Sequence, residues 1–306
     1  MGRIIKIGAI AAAVAILLGA VGLVLSLDWL LARGIARGGE YALGVPTEVK
    51  SASLGVFKGE STVSGLRIAN PPGCQEPVFL EVEQCAVDLT LLRAFDHDLV
   101  IDSVVLEGVR LDLEPDQGGK LNAEVLTDHL ATLSSAEPKA STGDSGSVTI
   151  RNLELKDIQV SLRGPWVLAP DGHLVATIPD LTLTNVGSAS SAEDISKQVS
   201  GVVIGALVKA VLAANINGLA PALIDGLKGA LSKVAAELGP EFQGVMDSVG
   251  KILSDPEVQK KIGDTLKGVG PKIGETLSDP EFQKKIGDAL EGAGKKLGDI
   301  LAPKKP

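Results

Sequence analysis

Residues 7–27, IGAIAAAVAILLGAVGLVLSL, form an unbroken run of 21 residues with no charge and a single Ser. A run of that length matches the ~20 apolar residues a helix needs to cross a bilayer. Arg3 and Lys6 precede it, and Asp28 and Trp29 follow it. Basic residues before and an interfacial aromatic after orient the N-terminus to the cytoplasm, although Arg33 and Arg37 reduce the asymmetry. A cleaved signal peptide is the rival reading. Its apolar region would run ~7–15 residues and end at a small-residue site. This run is longer, LSLDWLLAR offers no A-x-A pattern, and no lipobox-type Cys follows. The expectation is an uncleaved anchor over 1–30, with the bulk of the chain on the far side.

The exported part is sparing in aromatics, at 3% of the chain, with 36 Gly among 306 residues. Its apolar volume comes from Val, Leu, Ile and Ala, which suits strands and amphipathic helices better than a deep aromatic-lined pocket. The net charge is −9, and −13 falls on residues 28–250 once the +2 at the N-terminus and the +2 over 251–306 are set aside. An acidic middle argues against nucleic acid as a partner, since binding it requires neutralised phosphates. It also argues against this region lying flat on anionic lipid.

Residues 45–114 repeatedly alternate apolar and polar side chains, the period of half-buried strands. Val87, Leu89 and Leu91 point one way, as do Val109, Leu111 and Leu113, while Arg110, Asp112 and Glu114 point the other. Asn70-Pro71-Pro72-Gly73, Gly108 and Asp116-Gln117-Gly118-Gly119 punctuate the strands. Leu121 to Leu133 reads as one short helix, and 134–147 reads as a mobile linker by composition. Strands resume at Val148; Ile150, Leu153, Leu155, Ile158, Val160 and Leu162 alternate with one phase shift, compatible with a turn or bulge. Two short strands then flank Pro179-Asp180. From about Glu193 the period becomes helical, with Ile195, Val199, Val202, Val203, Leu207, Val211 and Ala214 on one stripe. Lys209 and the shortness of 202–214 favour a buried or lipid-facing helix over a second span.

The tail holds an internal repeat. Segment 253–275 matches 277–299 at 16 of 23 positions, giving repeats of 24 residues at 253–276 and 277–300. Each Ser-Asp-Pro-Glu reads as a helix start, with Asp capping and Pro in the first turn. The apolar stripe runs Val258, Ile262, Leu266, Val269, Ile273, then Phe282, Ile286, Leu290, Ala293, Leu297. Its steps of 4, 4, 3, 4 approach an 11-residue period that keeps a stripe nearly straight. Gly263, Gly268, Gly270 and Gly274 each cost about 1 kcal/mol against Ala in a helix. Such helices need something apolar to lie on, and a bilayer or the β domain would serve equally.

Cys74 and Cys85 leave two readings open, a disulfide formed in an oxidising compartment or two thiols. Asp96-His97-Asp98 matches no familiar metal-ligand spacing. No G-x-S-x-G elbow, P-loop or H-E-x-x-H occurs. No enzymatic activity, cofactor or metal is expected.

The anchor, VKSASLGVFKGESTVSGLRIANPPG (49–73), FLEVEQCAVDLTLLRAF (79–95) and LVIDSVVLEGVRLDLEPDQGGKLN (99–122) together resemble the AsmA family of bacterial envelope proteins. VTIRNLELKDIQVSL (148–162) and IPDLTLTNVG (178–187) fit the same style. The resemblance covers a little over half the chain, 31–190 beyond the anchor. It implies a curled antiparallel β-sheet, a gutter apolar within, distantly related to bridge-like lipid-transfer proteins. It also implies residence in the bacterial inner membrane with the bulk periplasmic, a role in envelope lipid homeostasis, and membrane lipids or other envelope proteins as partners. The expected architecture is therefore mainly β with α: an anchor, a curled sheet over 31–190 and an amphipathic helical tail over 191–306. Val87, Leu89, Leu91, Val109, Leu111, Leu113, Ile158, Val160 and Leu162 are the candidate groove. At ~4.8 Å per strand, a dozen strands span about 60 Å, too little to bridge two membranes. A tethered scaffold carrying no ligand is the alternative.

Overall fold

The computed structural model describes residues 26–55, 59–88, 99–134, 148–165, 167, 172–189, 192–214, 216, 219–258 and 260. The apolar run before Ser26 and the repeats beyond Lys260 lie outside them. Among the described residues the chain is a mixed α/β fold built on one open, mostly antiparallel sheet of eight strands.

Helix α1 (residues 26–43) leads into β1 (Thr47–Ser53), β2 (Glu60–Ala69), β3 (Val78–Asp88) and β4 (Leu99–Leu113), an antiparallel meander. Helix α2 (Asn122–Ser134) follows, close to the span read from sequence. The chain then returns as β5 (Val148–Lys156) and β6 (Ile158–Arg163), both parallel to β4. A parallel return needs a crossover, and the stretch holding α2 supplies it. Strands β7 (His173–Ile178) and β8 (Leu181–Ala189) pair antiparallel with β6 and β5. Helices α3 (Ala192–Ala213) and α4 (Pro221–Leu253) complete the described fold.

One face of the sheet is buried and the other is solvated, as antiparallel sheets permit. Cross-strand ion pairs mark the outer face: Arg67 with Glu81 at 2.8 Å, Arg110 with Glu83 at 2.5 Å, and Arg151 with Asp102. The buried face shows a coherent slip in phase. Inward residues step by three, not two, from Val63 to Leu66, Val82 to Cys85, Leu106 to Val109, Leu155 to Ile158 and Ile178 to Leu181. All five steps fall on one line, because the pairings Ser64↔Gln84, Val82↔Val109, Glu107↔Lys156 and Ile158↔Ile178 bracket them in register. A slip in one strand alone would turn its apolar set to solvent. Made together, the slips keep one buried face. The backbone absorbs the extra residue at Gly65, Gly108 and Asp157, all at positive φ (63°, 67° and 50°). The step from Leu155 to Ile158 and the break at Pro179-Asp180 are two segments of this line, while a second step within 150–162, Ile150 to Leu153, lies opposite Leu183 to Val186, where Asn185 takes positive φ (54°).

Helices α2, α3 and α4 share one apolar cluster with the sheet's inner side. Residues 201–208 of α3 are all buried, so the helix is used as a core element. Asp194–Ala213 is also long and apolar enough to cross a membrane, yet over half of it is buried inside this fold. Glycines set its distance from α4. A Cβ on Gly205 would lie 2.5 Å from the Phe242 ring, and one on Gly201 would lie 2.9 Å from Leu238. Lys209 does not break the packing, because its ammonium donates to the carbonyl of Met246 in α4. Gly239 interrupts α4 with non-helical dihedrals (φ 67°, ψ −153°), just before the Pro240-Glu241-Phe242-Gln243 segment that echoes the tail repeat. At the next echo, Asp255 Oδ1 accepts from the Glu257 backbone N–H at 2.8 Å, a capping contact ahead of Pro256.

Candidate functional site

The candidate groove residues come together, but not around an open channel. Val82 sits opposite Val109, Leu111 opposite Val160, and Leu113 opposite Leu162. Val109, Leu111, Leu113, Ile158, Val160 and Leu162 are each 0–1% exposed. They are core residues, which corrects their reading as the lining of an open groove. The physical reason is sufficiency: α2, α3 and α4 bring enough Leu, Val and Ala to cover the inner face. Each fully buried aliphatic side chain contributes about 1.5–3 kcal/mol, which no open gutter would recover. Val87 is half-buried beside this core. Leu89 and Leu91 lie outside the described residues.

Of the tail stripe only Val258 is described, and it packs against the core cluster as a partly buried side chain. Ile262, Leu266, Val269, Ile273, Phe282, Ile286, Leu290 and Leu297 lie outside the described residues.

Cys74 and Cys85 are free thiols, which resolves the two readings against a disulfide. Cys85 lies seven residues along β3 from Val78, roughly 23 Å at 3.3 Å per residue. Cys74 belongs to the loop before that strand, whereas bridged Cα atoms lie within about 7 Å. Burial pushes the Cys85 thiol up to about 11. Burial, aided by the charges of Glu114, Asp116 and Asp112, takes Cys74 to about 11 as well.

The most organised polar site lies at the end of β4, and the sequence reading missed it. Alternation groups Glu114 with the outward Arg110 and Asp112, yet it is 1% exposed. Its Oε1 accepts from Asn70 Nδ2 at 3.1 Å and from the Glu76 backbone N–H at 2.8 Å. Asn122, fully buried, donates from Nδ2 to Asn70 Oδ1 at 2.9 Å and to the Asp112 carbonyl at 2.8 Å. Arg163 closes the outer side on Asp112 at 2.9 Å and Glu76 at 3.3 Å. Burial holds the Glu114 carboxyl above its usual range, against the two backbone donors that lower it. The Asn70-Pro71-Pro72-Gly73 turn was the available signal, since a turn Asn beside a strand end often serves as a local hydrogen-bonding hub. This arrangement is a clasp: it ties the 70–77 loop, the end of β4 and the start of α2 together.

Among the described residues no group of three or more His, Cys, Asp or Glu side chains is placed to hold a metal ion. Comparison of the chain with family models, with curated proteins and with solved structures gives no match.

Proposed function

We propose that this chain is a non-catalytic, membrane-tethered protein of the bacterial cell envelope, whose β domain is a self-filled structural and assembly module. In this reading residues 7–27 anchor it in the inner membrane and the sheet stands on the periplasmic side. The sheet has the curled, AsmA-like form, but its interior is occupied by the chain's own helices instead of lipid, and the tail repeats supply a further apolar stripe for bilayer or protein. The observation that carries this is the closure of Val109, Leu111, Leu113, Ile158, Val160 and Leu162. The test is mass spectrometry of lipids retained by the full chain in mild detergent, together with hydrogen exchange. The expected result is slow exchange along β4 and β6 that removal of any surface-held lipid leaves unchanged. One tightly held lipid per chain, with fast exchange in α3, would overturn it.

A second reading, lipid binding or transfer within the sheet, is favoured by one observation: the helix covering the interior, Asp194–Ala213, has the length and apolarity to leave the core for a bilayer. It requires α3 to move. A disulfide introduced between Gly201 and Leu238 would then abolish lipid uptake, whereas the first reading expects no uptake with or without it.

A further inference from the structure

Helix α1 continues directly from the apolar run, and it does not stand free. It lies along β1, the outer strand of the meander, and the two enclose a groove of about 390 Å³ between Trp29, Arg33 and Ala36 on one side and Val49, Lys50 and Ala52 on the other. The placement is fixed at two points. Asp28 Oδ1 accepts from the Leu54 backbone N–H at 2.7 Å, and Gly39 allows Thr47 to come within side-chain contact. Asp28 itself lines the groove, and this bond holds its carboxylate without cancelling its charge, so with Arg33 and Lys50 the lining keeps a net charge of +1. The cations are not committed. Among the described residues neither Arg33 nor Lys50 forms an ion pair, and the guanidinium of Arg33 lies 5.2 Å from the centroid of the Trp29 ring. Trp29 and Leu30 are each 60% exposed, the largest exposed apolar surface of α1.

Three features converge. A Trp and a Leu are exposed on the first turn after a membrane-length apolar run, where amphipathic aromatic rings sit at headgroup depth. Two unpaired cations flank a groove at that level. Arg33 and Arg37 follow the apolar run, so the helix just past it carries positive charge that an anionic headgroup would balance. We infer that the α1–β1 groove binds the headgroup phosphate of an anionic phospholipid in the adjoining leaflet, with Arg33 and Lys50 as the phosphate ligands and Trp29 packed against the acyl–headgroup boundary. Arg33 presents a planar donor fork and Lys50 a point charge, a pairing suited to a phosphodiester. Bound this way, the lipid fixes the tilt of the β domain on the membrane, which a lone helical tether would leave free. The inference rests on the membrane-anchored reading.

The test uses the full chain with Trp166→Phe, which leaves Trp29 as the sole tryptophan, reconstituted in bilayer discs of phosphatidylcholine doped with either brominated phosphatidylglycerol or brominated phosphatidylcholine at equal fraction. Stronger quenching of Trp29 by the brominated anionic lipid is expected. Arg33→Gln and Lys50→Gln should each weaken that preference about fivefold, and the double variant should abolish it. Thermal melting of each variant confirms that the fold persists. Equal quenching by the two lipids in the unsubstituted groove overturns the headgroup site while leaving the anchor reading intact. A preference that survives in the double variant overturns it too, by assigning selectivity to the surface at large. Loss of the preference on adding millimolar inorganic phosphate, with sodium chloride of equal ionic strength leaving it intact, overturns the lipid as occupant in favour of free phosphate. Absence of quenching by either lipid overturns both the site and the membrane reading on which it stands.

Discussion

Gly108 and Asp157 occupy matched positions in the parallel β4–β5/β6 pairing, between Glu107↔Lys156 and Arg110↔Gln159, and both have positive φ. Each sits where its strand takes up the extra residue of the phase slip. The glycine is needed for two reasons: φ is +67°, and an added Cβ would come within 2.7–2.8 Å of the Glu83 side chain. Gly108→Ala should lower stability by about 1–2 kcal/mol, the cost of a left-handed L-residue, with further loss if Glu83 cannot yield. Asp157→Gly should not destabilise, because it relieves the same strain at its partner position. Chemical denaturation of the two variants in micelles checks the contrast, and equal losses would deny that the slip is a strained feature.

Glu114 gives a pH dependence of defined sign. A carboxyl whose folded pKa is raised binds its proton more readily in the folded state. Its burdened charge therefore costs nothing below the unfolded value near 4.5 and accrues as pH rises through the folded value. Stability should rise as pH falls from neutral toward that window, before other carboxylates protonate. Glu114→Gln retains an oxygen that can accept from Asn70 and Glu76, and should remove this part of the profile. Melting temperature against pH for both forms decides it; an unchanged slope would refute the assignment.

The α3–α4 contact predicts a steep size dependence at Gly205. Gly205→Ala should cost about 1–3 kcal/mol by overpacking against Phe242. Phe242→Ala should cost about 3–5 kcal/mol, since the ring is 2% exposed. Combined, the two should lose less than the sum, because the smaller residue makes room for the larger. A double-mutant cycle measures that coupling, and strict additivity would mean the helices are not in contact.

Both thiols should be inert in the folded protein. With values near 11, only about one part in ten thousand is thiolate at pH 7, so alkylation should be slow until denaturant is added. Identical gel mobility with and without reductant is expected, and a shift on reduction would reinstate a bridge.

Much of this fold was legible in the chain because period-2 alternation is a local signal. The strands of 45–114 and 148–189, the helix near 121–133 and the apolar stripe of α3 all follow from spacing alone. Coverage is a non-local property. Val109 and Leu111 carry the same pattern whether the opposing layer is lipid, water or another helix, so the sequence did not distinguish an open gutter from a filled core. Glu114 fails for a different reason. It keeps the outward phase of Arg110 and Asp112, but the strand ends at Leu113, and the Pro115↔Leu121 bridge turns the chain back so that the next side chain points inward. The alignment of phase slips needs the pairing register, which no single segment contains.

The order of elements along the chain also bears on how it is made. The β1–β4 meander and α2 are synthesised first, while the two longer helices that complete the cover, α3 and α4, come last, from residue 192 onward. Between those moments a nascent chain exposes a sheet face of Val, Leu and Ile that α2 alone covers only in part. Such an intermediate is prone to associate with other nascent chains until the C-terminal third arrives.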